Sequence, residues 1–430
     1  MSNYKFIPNP GTEEILANQL AGLRWTVDHV VKGSDFYRQR LAEAGVSSGA
    51  DIGILEDIRK LPVTTTSDLR DGYPYPLLSV PLAEVVRLHA SSGTTGKRKV
   101  MAYTQKDVDT FTLQMARCFE LAGLTPEDRV QIAVGYGLWT AGIGFQLGCE
   151  KLGCMSIPIG AGNIEMHLQF LADVGSTCLG STASMALLLS EEVERNNLGD
   201  KIKLKKIIFG AEPHDEKMRR NFERKLGLDD SFDIGGMTEM YGPGTSLDCP
   251  YHTGLHYWAD LFIIEILDPE TLEPVAEGEV GEMVVTSLCK EASPLVRYRT
   301  GDLSRLIPGT CTCGLNMPRH DKITGRSDDM IIFRGVNIYP GQISDVLQTF
   351  PEAAGEYNMQ LWRDDDGRDA MLLKVERSPS ADKGNDANLA KAILRTMQQR
   401  VMVSPVIEIV DPGVLPRFMG KAKRVEDKRF

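Results

Sequence analysis

Residues 85–97 read VVRLHASSGTTGK. The opening VVRLHA alternates like a strand running out at its end, and the run that follows is built only of Ser, Gly and Thr until Lys97 closes it. A Gly/Ser/Thr run by itself is an ordinary solvated loop. The lysine changes the reading: glycines let the backbone approach a ligand, unpaired N–H groups can form an anion-binding nest, hydroxyls donate further, and Lys97 adds a full charge. The stretch is expected to cradle a polyphosphate. It is not the loop of the common nucleotide hydrolases, G-x-x-x-x-G-K-[ST], because only two residues separate Gly93 from Gly96 and Arg98 follows the lysine. A dinucleotide fingerprint is missing too, since GYGLWTAGIG from Gly135 has Thr140 where the third glycine belongs.

The chain has 430 residues, 42% hydrophobic and 25% charged, a length that suits one large domain plus a smaller one. Its net charge of -11 argues against a nucleic-acid or anionic-membrane partner, because such binding sums positive charge. The N-terminal residues lack a basic region followed by an apolar core, and no apolar run reaches the length of a membrane span, so a cytoplasmic protein is expected. In a reducing compartment the eight cysteines should be thiols or metal ligands. Cys118, Cys149, Cys154 and Cys178 sit in apolar surroundings and read as buried thiols.

Helical periodicity over 13–45 places Leu16, Leu20, Leu23, Val27 and Val30 on one face. From about 128 to 236, short apolar strands (VQIAV, CMSIPI, TCLGS, KKIIFG, SFDIGG) alternate with helical stretches, which predicts a mostly parallel sheet with covering helices. LFIIEILD and EMVVTSL, separated by turn residues, predict antiparallel strands. A further α+β unit follows, with MLLKVE and VIEIV flanking a helix near 387–401, and the polar GRSDDM forms the joint. The fold class is therefore α/β: an N-terminal domain over 1–326 with an antiparallel β portion, and a small α+β domain over 327–430.

Four more stretches follow the loop in order: DIGGMTEMYGPG (233–244), YRTGDL (298–303), GRSDDMIIFRGVNIYP (325–340) and PRFMGKAKRV (416–425). With SSGTTGK they resemble the ordered motifs of the adenylate-forming superfamily of acyl-CoA synthetases, luciferases and peptide-synthetase adenylation domains. RLHASSGTTGK, GYGLWTAGIG, FGAEP, CKEASPLVRYRTGDL and RGVNIYP narrow the resemblance to the phenylacetate-CoA ligase branch, over nearly the whole chain.

The resemblance implies a ligase using ATP, Mg2+ and CoA on an aryl carboxylic acid, as in aromatic acid catabolism. A carboxylate is a poor acyl donor, so it first attacks the α-phosphate to form an acyl-adenylate, and a thiol then displaces AMP. By resemblance Ser91, Ser92, Gly93, Thr94, Thr95, Gly96 and Lys97 hold the β- and γ-phosphates. Glu239 holds Mg2+, a hard cation preferring oxygen, with Thr238 near the α-phosphate. Asp302 accepts from the ribose hydroxyls, with Arg326 nearby. Ala211, Glu212 and Pro213 form one adenine wall, and Asp233, Gly235, Gly236 and Met237 the opposite side. Gly235 stands where the family carries a stacking aromatic, and Tyr241 is the candidate to replace that ring. Lys421, directly after the glycine of FMGKAK, is the catalytic lysine in preference to Lys423. Asp328 takes the hinge position and Gly335 keeps the CoA tunnel open. The acid pocket is expected from Tyr136, Gly137 and Trp139 with the backbone of Gly235 and Gly236.

Two short-spaced pairs, Cys249 with His252 and Cys311 with Cys313, make a Cys3His set suited to structural zinc, with His256 competing for the histidine place. The reading allows a homodimer. Its alternatives are an adenylyltransferase of the same fold that stops at AMP transfer, as for a deazaflavin cofactor, and a non-catalytic nucleotide-binding module.

Overall fold

The computed structural model describes residues 4–91, 97–212, 214, 216–327, 330–338, 340–415 and 424–429. The described residues divide into two compact units, the larger holding 4–91, 97–211 and 222–327, and the smaller holding the rest.

In the larger unit, helix α1 (Thr12–Gly33) buries Ile15, Gln19, Leu23, Thr26, Val27 and Val30. The expected apolar stripe is partly displaced: Leu16 is 47% exposed and Leu20 only partly buried. The reason lies in what the helix packs on. Gln19 donates to the Phe262 carbonyl at 3.2 Å and Thr26 to that of Ser287 at 2.8 Å, so polar side chains satisfying sheet-end carbonyls take part of the buried face.

Strands β1 (Arg87–Ala90) and β2 (Val100–Tyr103) pair antiparallel, with Ala90 opposite Val100, so the Gly/Ser/Thr run lies in the connection of a hairpin. Helix α2 (Gln105–Leu121) starts at a capping box in which Thr104 and Asp107 bond each other's backbone N–H. The main sheet then builds through β3 (Arg129–Ile132), helix α3 (Ala141–Leu152), β4 (Met155–Ile157), helix α4 (Ile164–Asp173), β5 (Cys178–Thr182), helix α5 (Ala183–Arg195), β6 (Lys206–Gly210), helix α6 (Glu216–Leu226), β7 (Asp230–Met237), β8 (Gly242–Asp248) and β9 (Leu255–Tyr257). Strands β10 (Phe262–Leu267), β11 (Gly281–Ser287) and β12 (Tyr298–Ser304) belong to a second sheet. They are followed by β13 (Leu306–Ile307) and β14 (Arg319–His320), which return to the first, and β15 (Gly325–Arg326), which completes the second.

The main sheet has nine strands in the order β13-β14-β9-β8-β7-β6-β5-β3-β4. Its half from β4 to β7 is parallel, and β8, β9, β14 and β13 continue it antiparallel. The second sheet, β10-β11-β12-β15, is wholly antiparallel. Both patterns agree with the alternation in the sequence.

The smaller unit has its own core of Ile338, Ile343, Leu361, Leu373, Ile393 and neighbouring apolar residues. It contains the hairpin of β16 (Ile331–Phe333) and β17 (Val336–Ile338), helix α7 (Pro340–Leu347), β18 (Ala353–Arg363), β19 (Asp369–Arg377), helix α8 (Asp386–Arg400), β20 (Val406–Val410) and β21 (Val425–Asp427). Its four-stranded sheet runs β20-β19-β18-β21. Among the described residues, no helix is long and apolar enough to cross a membrane.

Candidate active site and cysteine cluster

In an open parallel sheet, ligands gather at the carboxyl ends of the strands, where chain direction leaves a crevice. Here that edge carries a cleft of about 420 Å³, counting its open mouth. Val134 past β3, Ser181 of β5, Gly210 and Ala211 at the end of β6, and Ile234, Gly236 and Met237 of β7 line it together with Trp139, Ala141 and Phe145. Thr238, itself buried, lines it as well. Of the expected acid-pocket residues Trp139 lines the cleft, but Tyr136 is 36% exposed and Gly137 is exposed with open space around it, and neither contributes to the walls. Phe145, Ile234 and Val134 supply the apolar surface that the sequence did not single out.

The single turn Thr238–Met240 follows β7 and presents the acidic motif. Glu239 is 3% exposed, and its carboxylate pairs with Lys99 while accepting from the Tyr298 hydroxyl at 3.0 Å. Burial alone would raise this carboxyl, but the Lys99 charge and the hydrogen bonds outweigh it and hold Glu239 below the ordinary value. The carboxylate is thus kept ionised as an oxygen donor, which fits a hard divalent cation. The lysine beside it is Lys99, whereas Lys97 is exposed with its ammonium 5.5 Å over the Tyr73 ring. Below the turn, Tyr103 donates to the Thr238 carbonyl at 3.2 Å and Lys290 to that of Glu239 at 2.6 Å.

Asp302 on β12 pairs with Arg326 on β15, opposite it in register, and Arg326 also donates to the Thr300 carbonyl at 2.8 Å. Asp233 on β7, Glu212 and Ser91 are buried, and the Ser91 hydroxyl has no hydrogen-bond partner among the described residues. At Gly235 a side chain would displace the Ser246 hydroxyl on the neighbouring strand, 2.3 Å from where its Cβ would stand. Tyr241 does not replace that ring. It is fully buried, donates to Asp107 at 3.1 Å and packs near Tyr103 and Phe262. Gly335 forms, with Arg334, the two-residue turn between β16 and β17, where both have positive φ (78° and 48°). Ser92, Gly93, Thr94, Thr95, Gly96, Pro213, Asp328 and Lys421 lie outside the described residues.

Elsewhere in the larger unit, Cys249, His256, Cys311 and Cys313 bring their ligand atoms within 4.8 Å of one another. The histidine is His256, not His252. His252 turns both ring nitrogens to carboxylates, Asp248 at 2.6 Å and Asp230 at 3.0 Å. His256 lies on β9 opposite Leu247, whereas His252 lies before β9, in the connection from β8, with a positive φ of 52°. The Cys249 and Cys311 sulfurs are 3.6 Å apart, and Cys313 Sγ is 3.3 Å from His256 Nε2. A tetrahedral zinc with bonds of about 2.3 Å to sulfur and about 2.0–2.1 Å to nitrogen requires ligand separations of about 3.5–3.8 Å, so the group fits. His256 Nδ1 donates to the Met317 carbonyl at 2.6 Å, leaving Nε2 as the ligand atom. The hydrogen bond with Cys313, against the cost of burial and with His256 adding to it, holds the Cys249 thiol below its ordinary value.

Residues 35–289 match the model of the AMP-binding enzyme family, and residues 335–429 that of the AMP-binding enzyme C-terminal domain. The chain belongs to the adenylate-forming AMP-binding enzymes. It is 41% identical over 418 residues to phenylacetate-coenzyme A ligase of Pseudomonas putida, covering 96% of this chain and 94% of that one. To the enzyme of the same name from Escherichia coli (strain K12) it is 40% identical over 429 residues, covering 98% and 97%. Within the superfamily it therefore stands in the phenylacetate-CoA ligase branch. Among solved structures, a 2-hydroxyisobutyryl-CoA ligase in complex with 2-HIB-AMP and CoA superposes with a TM-score of 0.90 at 28% identity, covering 98% of this chain and 91% of that one.

Proposed function

We propose that this chain is a cytoplasmic, ATP-dependent, AMP-forming aryl-acid:CoA ligase, with phenylacetate the leading acid. The observation that carries the reading is the cleft lined by Trp139, Phe145, Ile234 and Thr238, in a chain about 40% identical to phenylacetate-CoA ligases. Apolar walls that include the Trp139 and Phe145 rings suit an aromatic ring, and Thr238 of the acidic motif lines the same cleft.

In the first half-reaction a carboxylate oxygen attacks the α-phosphorus, the new P–O bond forms, and the bond to pyrophosphate breaks with its electrons leaving on that group. Glu239 would hold Mg2+, which supplies neutralisation of the phosphate oxygens when bound. The Ser/Gly/Thr loop orients the β- and γ-phosphates, Asp302 and Arg326 hold the ribose side, and Lys421 offsets charge as the oxygen joins phosphorus. In the second half-reaction the CoA sulfur attacks the acyl carbon, the C–S bond forms, the acyl C–O bond breaks with its electrons leaving on the AMP phosphate, and the thiol proton passes to solvent. Asp328 serves as the hinge between the two states, and Gly335 lies on the path of the pantetheine arm. Cys249, His256, Cys311 and Cys313 hold one structural zinc, a closed set with no position for chemistry.

A carboxylic-acid panel assayed for pyrophosphate release, with and without CoA, tests the reading. Phenylacetate and close aryl acids should release pyrophosphate and give thioester only with CoA. Release with no aryl acid, or AMP transfer to an acceptor other than a thiol, would overturn it.

A further inference from the structure

Lys290, in the segment after β11, has no exposed surface, so it cannot touch a substrate. A buried ammonium is costly unless its donors and charge are satisfied. Its Nζ donates to the Glu239 main-chain carbonyl at 2.6 Å and lies 5.1 Å and 4.8 Å from the ring centroids of Tyr103 and Tyr241. Those tyrosines are themselves tied to the same turn. Tyr103 donates to the Thr238 carbonyl at 3.2 Å, and Tyr241, directly after the turn, donates to Asp107 at 3.1 Å. Asp107 also accepts from the N–H groups of Glu291 at 2.8 Å and Ala292 at 2.9 Å, which fixes the main chain just beyond Lys290. The loop of contacts is closed: Asp107 anchors 291–292, Lys290 reaches from there to Glu239, and Tyr241 returns to Asp107.

The arrangement has something to oppose. Tyr241 holds φ at 69°, a left-handed conformation unfavourable for a residue with a bulky side chain, and it is there that the chain leaves the Thr238–Met240 turn for β8. Two lysines thus serve one turn with different tasks: Lys99 neutralises the Glu239 carboxylate, and Lys290 bonds its main chain. Resting on the ligase reading, we propose that Lys290 is a positioning residue for adenylate formation, holding the turn so that Thr238 and Glu239 face the phosphates. Burial pushes its ammonium down to about 8, with Asp107 and Glu239 opposing the shift, in keeping with a group held by geometry rather than by a partner carboxylate.

The test compares half-reactions in full-length Lys290→Met, which keeps an apolar stem and removes the donor and the charge. Pyrophosphate exchange should fall about 100-fold, the scale of a roughly 1 Å misplacement. The Mg2+ concentration for half-maximal exchange should rise, while KM for phenylacetate stays within about twofold because the cleft walls are untouched. Thioester formation from synthetic phenylacetyl-adenylate and CoA should stay near wild type. Equal loss in both half-reactions would make Lys290 a general core residue and overturn the proposal, as would unchanged exchange. Should Lys290→Met not fold, Tyr103→Phe decides, since it removes only the hydroxyl on the Thr238 carbonyl and should give a weaker version of the same split. Wild-type protein that binds MgATP but releases no pyrophosphate with aryl acids would end the ligase reading instead. The thermal shift produced by MgATP then decides on Lys290, and a shift retained in Lys290→Met would overturn its role.

Discussion

Lys99 and Glu239 form a buried ion pair whose removal has a calculable cost. The side chains are 13% and 3% exposed, so solvent screening offers little relief. Lys99→Met keeps most of the stem and leaves Glu239 with the Tyr298 hydroxyl at 3.0 Å as its remaining side-chain partner in this group. Breaking a buried pair by deleting one partner typically costs about 3–5 kcal/mol, because the other charge stays buried and uncompensated. For a unit of this size about 1 kcal/mol moves Tm by roughly 2 °C, so Tm at pH 7 should drop by about 6–10 °C. The pH dependence has a definite sign. Glu239 is held below its ordinary value of 4.5, so the pair's contribution is complete above that value and is lost as pH falls through the folded value. In the variant, burial without Lys99 raises the carboxyl, which neutralises earlier on acidification and removes the penalty. The Tm gap between wild type and variant should therefore be widest near neutrality and narrow towards pH 4. Scanning calorimetry from pH 4 to 8 without nucleotide or metal checks this. A gap under about 2 °C at neutral pH, or one that does not narrow with acid, would refute the argument.

Metal analysis of purified protein should find about one zinc per chain; His256→Ala should lose most of it together with thermal stability, whereas His252→Ala should keep its metal. Lys421→Ala should slow adenylate formation by about 100- to 1000-fold, yet convert synthetic aryl-adenylate and CoA to thioester at close to the normal rate. Equal loss in the two half-reactions would make Lys421 structural.

The architecture was legible because strand and helix periods are local properties of a sequence. The alternation over 128–236 gave the parallel strands, and the helix expected near 387–401 lies at Asp386–Arg400. Helix α1 shows where that logic stops. Gln19 and Thr26 are buried because carbonyls of the second sheet need donors, a demand that no hydrophobic pattern records.

The site was legible as motifs but not as partnerships, and the two lysines after the loop show why. Lys97 completes the glycine-rich pattern, but Lys99 reaches Glu239, and those two positions are 140 residues apart in the chain. A signal was present. Ser91 N–H bonds the Lys99 carbonyl at 3.0 Å, extending the β1–β2 hairpin by one step, and the two-residue period of a strand then sends Lys99, Met101 and Tyr103 to one face. Tyr103 ends under Thr238 and Lys99 beside Glu239, so the β1–β2 hairpin and the acidic turn are coupled through one strand face. That period does not separate His256 from His252, which are four residues apart: His252 falls in the connection before β9, at a φ of 52° and between Asp248 and Asp230, and residue spacing alone does not reveal where the strand begins. Lys290 lies further from any such reading. Its partners are a main-chain carbonyl and two aromatic faces, none of which leaves a complementary charge in the sequence to search for. The Thr238–Met240 turn is thus held through its main-chain carbonyls by the buried Tyr103 and Lys290, which is why its support is visible only once the sheets are assembled.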